Sequence, residues 1–219
     1  MDDDDLELIH TRGYDVRGYW RGDGSLLIRG AVRDELPPGF YDADDTEPLV
    51  MHHMVVELAV ALPDLVITGA HVEFLTHPHH ACPNIIDHYH HLVGLSIARG
   101  FTHKVRELFG GPRGCTHTTA LLQAMAPVAM QCKLASRIMG RRRMSATDDP
   151  PDTTLALSSP EMRALRASGN RNTCHVWAED GEHVAHILDG SETALPIPIS
   201  VRIRERGGDP DEWRRQRWD

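Results

Sequence analysis

The sequence predicts an α+β protein in which an antiparallel β-meander packs against helices. Three observations favour this class. Four apolar or alternating runs separated by turn signals occupy residues 14–75, the apolar period then changes to that of a helix, and the longest helical pattern follows a glycine-rich turn. The chain has 219 residues, enough for one sizeable core.

The first two strands are predicted over 14–20 and 25–36, because Asp23-Gly24 between two such runs is a strong hairpin signal. The third is predicted over 53–62 and the fourth over 65–75, joined by a Pro-Asp turn. Together they predict a four-stranded meander.

Helical periodicity begins after the strands. It predicts helices over 84–100 and 102–110, and then the longest helix after Gly114, where apolar residues recur every three or four positions from Leu121 onward. Cys132 falls on that apolar stripe and is predicted to be a core thiol.

The last third of the chain carries weaker signals. Residues 145–159 are predicted to be a linker, 159–169 a short helix, and 172–188 a hairpin. The resulting domain organisation is an acidic disordered tail over 1–11, one α+β domain over 12–190, and a strand with a charged tail over 191–219.

The composition of the chain limits the classes of function that it can have. The net charge of −9 argues against nucleic acid as a general partner. No apolar run approaches the roughly 18–20 residues of a membrane span, and the acidic start lacks the apolar region of a signal peptide. A cytoplasmic protein with a small-molecule substrate is therefore expected, and self-association is left open. Four cysteines in a reducing compartment are expected to be thiols or ligands rather than disulfides.

The stretch "GGPRGCTH", residues 110–117, is the strongest candidate site. Its glycines permit a sharp turn into a helix whose first amides are unsatisfied, and a thiolate at Cys115 would be stabilised there. His117 is placed to act as a base or to bind the same metal ion as that thiol. A capped helix start without chemistry is the alternative interpretation.

Fifteen histidines are an excess for this length, and several stand beside cysteines at predicted element ends. If the fold brings them together, thiolates with imidazoles favour zinc, or alternatively iron or an iron–sulfur cluster. The predicted metal ligands are His52, Cys82, Cys115, His117 and Cys174. The predicted catalytic residues are Cys115, His117, His53 and Glu73. The histidine-rich segments within 77–91 are read as an exposed polar surface.

Several of these motifs together resemble a bacterial domain family of unknown function. They are the Asp23-Gly24 turn, His52 with Met54, Pro78 with Cys82, and the segments 92–101, 110–117 and 173–177. The resemblance covers about 12–188 and implies a site at the glycine-rich turn, without naming a reaction. A looser similarity to the NifU/SufU iron–sulfur scaffold would give Cys82, Cys115 and Cys174 comparable places.

The candidate site residues are compatible with three functions. The first is a metal-dependent lyase or hydrolase that acts on a small carbonyl or acyl compound by hydrolysis, hydration or elimination. The second is a non-catalytic carrier of metal, an iron–sulfur cluster or sulfur. The third is a metal-free acyl-transfer enzyme with Cys115 as the nucleophile.

Overall fold

A computed structural model describes residues 6–145, 160–191 and 195–217. The chain divides into two compact units, Met1–Ala146 and Thr147–Asp219. The predicted domain over 12–190 spans parts of both. Most of the predicted linker, and residues 1–5 of the predicted tail, lie outside the described residues.

The first unit contains the predicted four-stranded antiparallel meander, so the α+β class is confirmed. Its strands are β1 (Thr11–Trp20), β2 (Leu26–Leu36), β3 (Leu49–Ala61) and β4 (Val66–Thr76), in that spatial order. Because side chains alternate across a strand, one face of the sheet carries the buried residues of β2 and β3 and the other is more open to solvent. Leu26, Ile28 and Val32 show this on β2, all of them at most 1% exposed.

Two α-helices of the first unit follow the sheet, α1 (Phe101–Phe109) and α2 (Thr116–Ser145). Leu121 and Met125 of α2 are fully buried, and each such side chain contributes about 1.5–3 kcal/mol by leaving water. The helix lies close against Gly30 of β2, where an added Cβ would come within 2.8 Å of the sulfur of Met125. Cys132 likewise approaches Gly18 of β1 and packs against the core as predicted, and burial raises the pKa of its thiol.

The predicted helix over 84–100 is wrong in type and length. The chain forms a 3-10 helix over Cys82–Leu92 and then leaves helical geometry at Val93 and Gly94, whose φ is +90°. The backbone after it pairs with the start of β4, since Gly94 N–H donates to the carbonyl of Ile67 and Ile67 N–H donates to that of Leu95. Strand pairing therefore replaces the last helical turns.

The second unit contains the short helix that was predicted over 159–169, and it is also helical where strands were predicted. It contains α3 (Pro160–Asn170), α4 (Glu182–Asp189), α5 (Ile197–Glu205) and α6 (Pro210–Arg217), with a short 3-10 helix over His175–Trp177. The hairpin over 172–188 is wrong because Val184 and Ile187, three residues apart, are buried together on one face of α4. The C-terminal strand is wrong because α5 occupies that segment, with a proline in its first turn, where proline is tolerated.

Candidate functional site

Three residues form a row across the buried face of the sheet. Arg12 of β1 is the register partner of Asp34 of β2, and Asp34 is the register partner of His52 of β3. Directly opposed side chains on one face lie about 5 Å apart at Cβ, which places Arg12 and His52, one on each side, within reach of Asp34.

Asp34 occupies a core position in a strand. It follows the alternation of Leu26, Ile28 and Val32 and is 1% exposed. The pairing of β2 with β3 shifts by one residue immediately after it, so that Glu35 pairs with Val50 and Met51 is the additional residue. Such bulges bend a strand and re-aim the neighbouring side chains, and they are frequent beside active sites.

The glycine-rich turn brings the start of α2 to this row. Gly114 packs so closely on the backbone carbonyl of Phe109 that no Cβ would fit. Cys115 then begins the helix, because its carbonyl accepts a hydrogen bond from Thr119 N–H at 2.9 Å. Its own N–H donates to the hydroxyl of Tyr89 at 2.8 Å, and Tyr89 is 1% exposed. The contact of Gly114 with Phe109 and the hydrogen bond of Cys115 to Tyr89 thus fix the first turn of α2.

Arg12 neutralises the buried carboxylate. Its Nε donates to Oδ1 of Asp34 at 2.6 Å and its Nη2 donates to Oδ2 at 2.7 Å. Burial alone would raise the pKa of Asp34, but the hydrogen bonds and the charge of Arg12 lower that pKa below its ordinary value. Asp34 is therefore an anion in a buried position, a state that requires such a partner.

Two imidazoles converge on the same carboxylate oxygen. Nε2 of His117 lies 3.0 Å from Oδ2 of Asp34, and Nδ1 of His52 lies 3.3 Å from it. The two rings stack with centroids 3.8 Å apart. Burial lowers the pKa of both histidines below the ordinary value, and for His117 the charge of His52 acts in the same direction. Both rings are accordingly neutral near pH 7.

His52 and His117 differ at their Nδ1 atoms. Nδ1 of His117 has Cys115 as a partner, whereas Nδ1 of His52 is buried, lies 3.3 Å from Asp34 and has no hydrogen-bond partner within the described part of the chain. Unpaired buried polar atoms are uncommon in folded proteins and call for an explanation.

The second ring nitrogen of His117 faces the thiol. Nδ1 of His117 lies 3.7 Å from Sγ of Cys115, within the range of a hydrogen bond that involves sulfur. A continuous path therefore runs from Cys115 through His117 to Asp34, and Arg12 holds its far end.

The predicted site residues divide into two sets. The structure brings together Cys115, His117 and His52. His53 and Glu73 lie on the opposite face of the sheet, since each is offset by one position from a buried neighbour, Met54 and Phe74 respectively.

The other two predicted cysteine ligands lie elsewhere in the chain's two units. Cys82 packs partly buried against the core of the first unit, and Cys174 is exposed in the second unit. Among the described residues, the ligand-type side chains that form a group of three are Asp34, His52 and His117, and this group contains no cysteine.

Sequence reasoning missed Asp34 and Arg12, although a signal for both was present. Asp34 interrupts the buried alternation of β2 with a charge, and a buried strand position that carries a carboxylate requires a partner. The hairpin around Asp23-Gly24 sets the register that places Arg12 opposite it.

Comparison with known families matches residues 10–131 to DUF2889, described as a protein of unknown function. This match covers more than half of the chain. The chain belongs to the DUF2889 family. No curated protein matches it, and no solved structure does.

The DUF2889 match spans every residue of the clustered site, from Arg12 to His117, and ends before Cys174. Neither the "GGPRGCTH" stretch as a family motif nor the similarity to the NifU/SufU scaffold is supported by these comparisons. Within the described residues, no helix combines the length and the apolar character that a membrane crossing requires.

Proposed function

We propose that this DUF2889 protein is an enzyme that uses Cys115 as a nucleophile on a small acyl compound. The observation that carries the proposal is the path of Sγ to Nδ1 at 3.7 Å and Nε2 to Oδ2 at 3.0 Å through the ring of His117. Nucleophile, base and orienting acid in this order are the elements of acyl-transfer catalysis on several unrelated folds. Of the three functions left open by the sequence, this geometry favours the third.

The contact with Asp34 selects the form of the base. A carboxylate offers only acceptor oxygens, so Asp34, whose Oδ2 lies 3.0 Å from Nε2 of His117, favours the form of the ring that carries its proton on Nε2. Nδ1 then has a free lone pair, and that lone pair faces the thiol. His117 is suited to accept the proton of Cys115, because burial lowers its pKa and keeps the ring neutral near pH 7.

The reaction then proceeds in two balanced steps. The S–H proton moves to Nδ1 of His117, the sulfur attacks the carbonyl carbon of an ester or thioester, and the leaving group departs with the proton from Nδ1. The acyl group is left on Cys115. Attack by water or another acceptor, again with His117 as the base, releases the acyl group and restores the thiol.

The start of α2 supports the charge that develops on the carbonyl oxygen. The first amides of a helix have no intrahelical acceptor and carry partial positive charge. The amide of Cys115 already donates to Tyr89, so the oxyanion would be held by the following amides of the first turn.

A model acyl donor tests the proposal. Incubation with p-nitrophenyl acetate is expected to release nitrophenol and to add one acetyl group to Cys115, located by peptide mass spectrometry. Cys115→Ser should abolish the adduct. His117→Gln should slow its formation at least about a hundredfold, the usual contribution of a general base.

Cys174 is the matched control for this experiment. It is exposed, and His175 is its neighbour in sequence, so its acetylation reports ordinary surface chemistry. Cys174→Ser should leave the rate of Cys115 acetylation unchanged. Equal acetylation of Cys115 in the wild type and in His117→Gln would overturn the proposal.

A metal-dependent enzyme is the second candidate, and a separate observation favours it. Ligand-type atoms of Asp34, His52 and His117 all lie within 4.8 Å of one another, and three nitrogen or oxygen ligands with an open position suit catalytic zinc. Such an ion would activate water for hydrolysis or hydration of a carbonyl compound. This site uses His52 and His117 of the predicted ligands and replaces the cysteines by Asp34.

Zinc dependence separates the two candidates. For the metal-dependent enzyme, protein produced without a histidine tag should contain about one zinc per chain, and a chelator should abolish ester hydrolysis until zinc is restored. Hydrolysis that persists in the chelator would exclude this candidate. The carrier function stays a prediction, as do the cytoplasmic location and the small-molecule substrate.

A further inference from the structure

The nucleophile pathway leaves one group of the site without a role. Nδ1 of His52 is buried and unpaired within the described residues, and it is 3.3 Å from Oδ2 of Asp34. Nε2 of His117 is 3.0 Å from the same oxygen. A neutral imidazole nitrogen without a hydrogen-bond partner is the form in which histidine binds a metal.

These separations fit one small ion. Zinc binds nitrogen and oxygen at about 2.0–2.2 Å, so two of its ligands lie about 3.0–3.6 Å apart. The two distances to Asp34 Oδ2 fall inside that interval, and the two histidine nitrogens lie within 4.8 Å of each other. Because the two rings stack and each lone pair lies in the plane of its ring, one imidazole must rotate about its side-chain bonds for both lone pairs to point at the ion. Cys115 is not part of this set, because its sulfur faces the opposite nitrogen of the His117 ring.

We propose that zinc binds to His52, His117 and Asp34 and thereby switches off Cys115. This inference rests on the proposed nucleophile function, and it adds a regulatory ligand to the same site. Zinc requires the lone pair of Nε2 of His117, so the ring proton must move to Nδ1. Nδ1–H then faces the sulfur and no longer accepts its proton. Zinc binding and general-base catalysis therefore exclude each other at a single imidazole.

Arg12 makes this binding reversible rather than permanent. Its guanidinium donates to both oxygens of Asp34, so a bound zinc ion would lie close to an existing positive charge. The positive charges of the guanidinium and the zinc ion repel each other, so the affinity for zinc is lower than at a site whose carboxylate has no arginine partner. With a lower affinity, the occupancy of the site can follow the concentration of free zinc.

Protection of Cys115 from iodoacetamide tests the proposal in the full untagged chain. Peptide mass spectrometry follows alkylation of Cys115 while zinc is added to chelator-treated protein. Saturating zinc is expected to slow this alkylation at least about tenfold. In His52→Gln the zinc concentration for half-protection should rise at least about tenfold, since a ligand is lost. Alkylation without zinc is measured in the same His52→Gln protein and protection is expressed relative to that rate, because His52 stacks on His117 and its loss can change the reactivity of the thiol.

Two controls separate this site from other zinc-binding groups. His90→Gln removes an exposed histidine of the histidine-rich surface, and it should leave half-protection unchanged. Direct capture of the Cys115 sulfur by zinc would protect His52→Gln as well as the wild type, and that result would overturn the proposal.

The remaining outcomes distinguish the inference from the function on which it rests. Alkylation that zinc does not slow overturns the inference alone, provided that His117→Gln slows alkylation in the absence of zinc. If His117→Gln has no effect without zinc, the nucleophile function fails. Faster acylation of the protein in zinc would overturn the switch and favour the metal-dependent enzyme.

Discussion

Arg12 and Asp34 face each other across β1 and β2 and form two hydrogen bonds of 2.6 and 2.7 Å. The carboxylate is 1% exposed and the arginine side chain is 34% exposed. The candidate site depends on this pair, because Arg12 holds a buried carboxylate on the sheet in position beside the imidazole of His117.

Arg12→Met is expected to destabilise the protein by about 3 kcal/mol. Removal of one partner leaves a buried charge uncompensated, which costs several kcal/mol even though the intact pair contributes little. The free energy of unfolding in urea measures the effect. Arg33→Met is the control, because Arg33 pairs with Glu35 on the exposed face and should change stability by less than about 1 kcal/mol. Equal effects at the two positions would contradict the account of Asp34.

Asp34→Asn is expected to remove most of the acylation rate while the fold is retained. The amide of Asn can donate to Nε2 of His117, which favours the ring form with its proton on Nδ1 and so removes the base. The rate of acylation should fall at least about a hundredfold, as in related triads, with little change in KM. Near-ultraviolet circular dichroism checks the fold.

Asp64→Asn is the matched control for this substitution. Asp64 has an exposed side chain that pairs with Arg99, so the same chemical change there should leave acylation unchanged. A rise in KM without loss of kcat in Asp34→Asn would indicate that Asp34 binds substrate instead of orienting the base.

The sheet was predictable because its signals are local. Asp23-Gly24 marks the first turn, and alternation along β2 identifies the buried face. In the second unit, the helix predicted over 159–169 is present as α3, but α4 and α5 were not predicted, because short segments such as 182–189 carry apolar residues that fit either period. Pairing of residues 94–97 with the start of β4 is a tertiary effect, and it overrides a helical pattern that local propensity favours.

The candidate site was predictable in part for the same reason. Cys115 and His117 are neighbours in sequence and carry a local signal, the glycine-rich turn. The approach of His52 depends on strand register and on a bulge, neither of which spacing reveals. Cys82 was predicted as a ligand only from its residue type, which carries no information about distance.

Gly114→Ala is expected to destabilise the protein by about 2 kcal/mol and to change the reactivity of Cys115. An added Cβ would collide with the carbonyl of Phe109, a backbone atom that cannot rotate away. The start of α2, and with it the thiol, must shift. Thermal unfolding and the rate of Cys115 alkylation measure the two effects. Gly22→Ala is the control, because nothing lies within 4 Å of its Cβ position. A stable Gly114→Ala protein with wild-type thiol reactivity would show that the turn does not position the site.

Acidification is expected to destabilise the metal-free protein in two stages. Burial lowers the pKa of His52 and His117 below the ordinary value of 6.5, so below that pH the unfolded chain binds protons that the folded chain does not. Stability is therefore complete above about pH 7 and falls as the pH decreases through 6.5. Asp34 adds a second loss below its ordinary pKa of 3.8, because its folded pKa is lowered.

Urea unfolding in a chelator should show a smaller loss of stability between about pH 7 and about pH 5 in His117→Gln, whereas His103→Gln, at an exposed position, should follow the wild type. A wild-type slope in His117→Gln would mean that this imidazole is not buried in a neutral state.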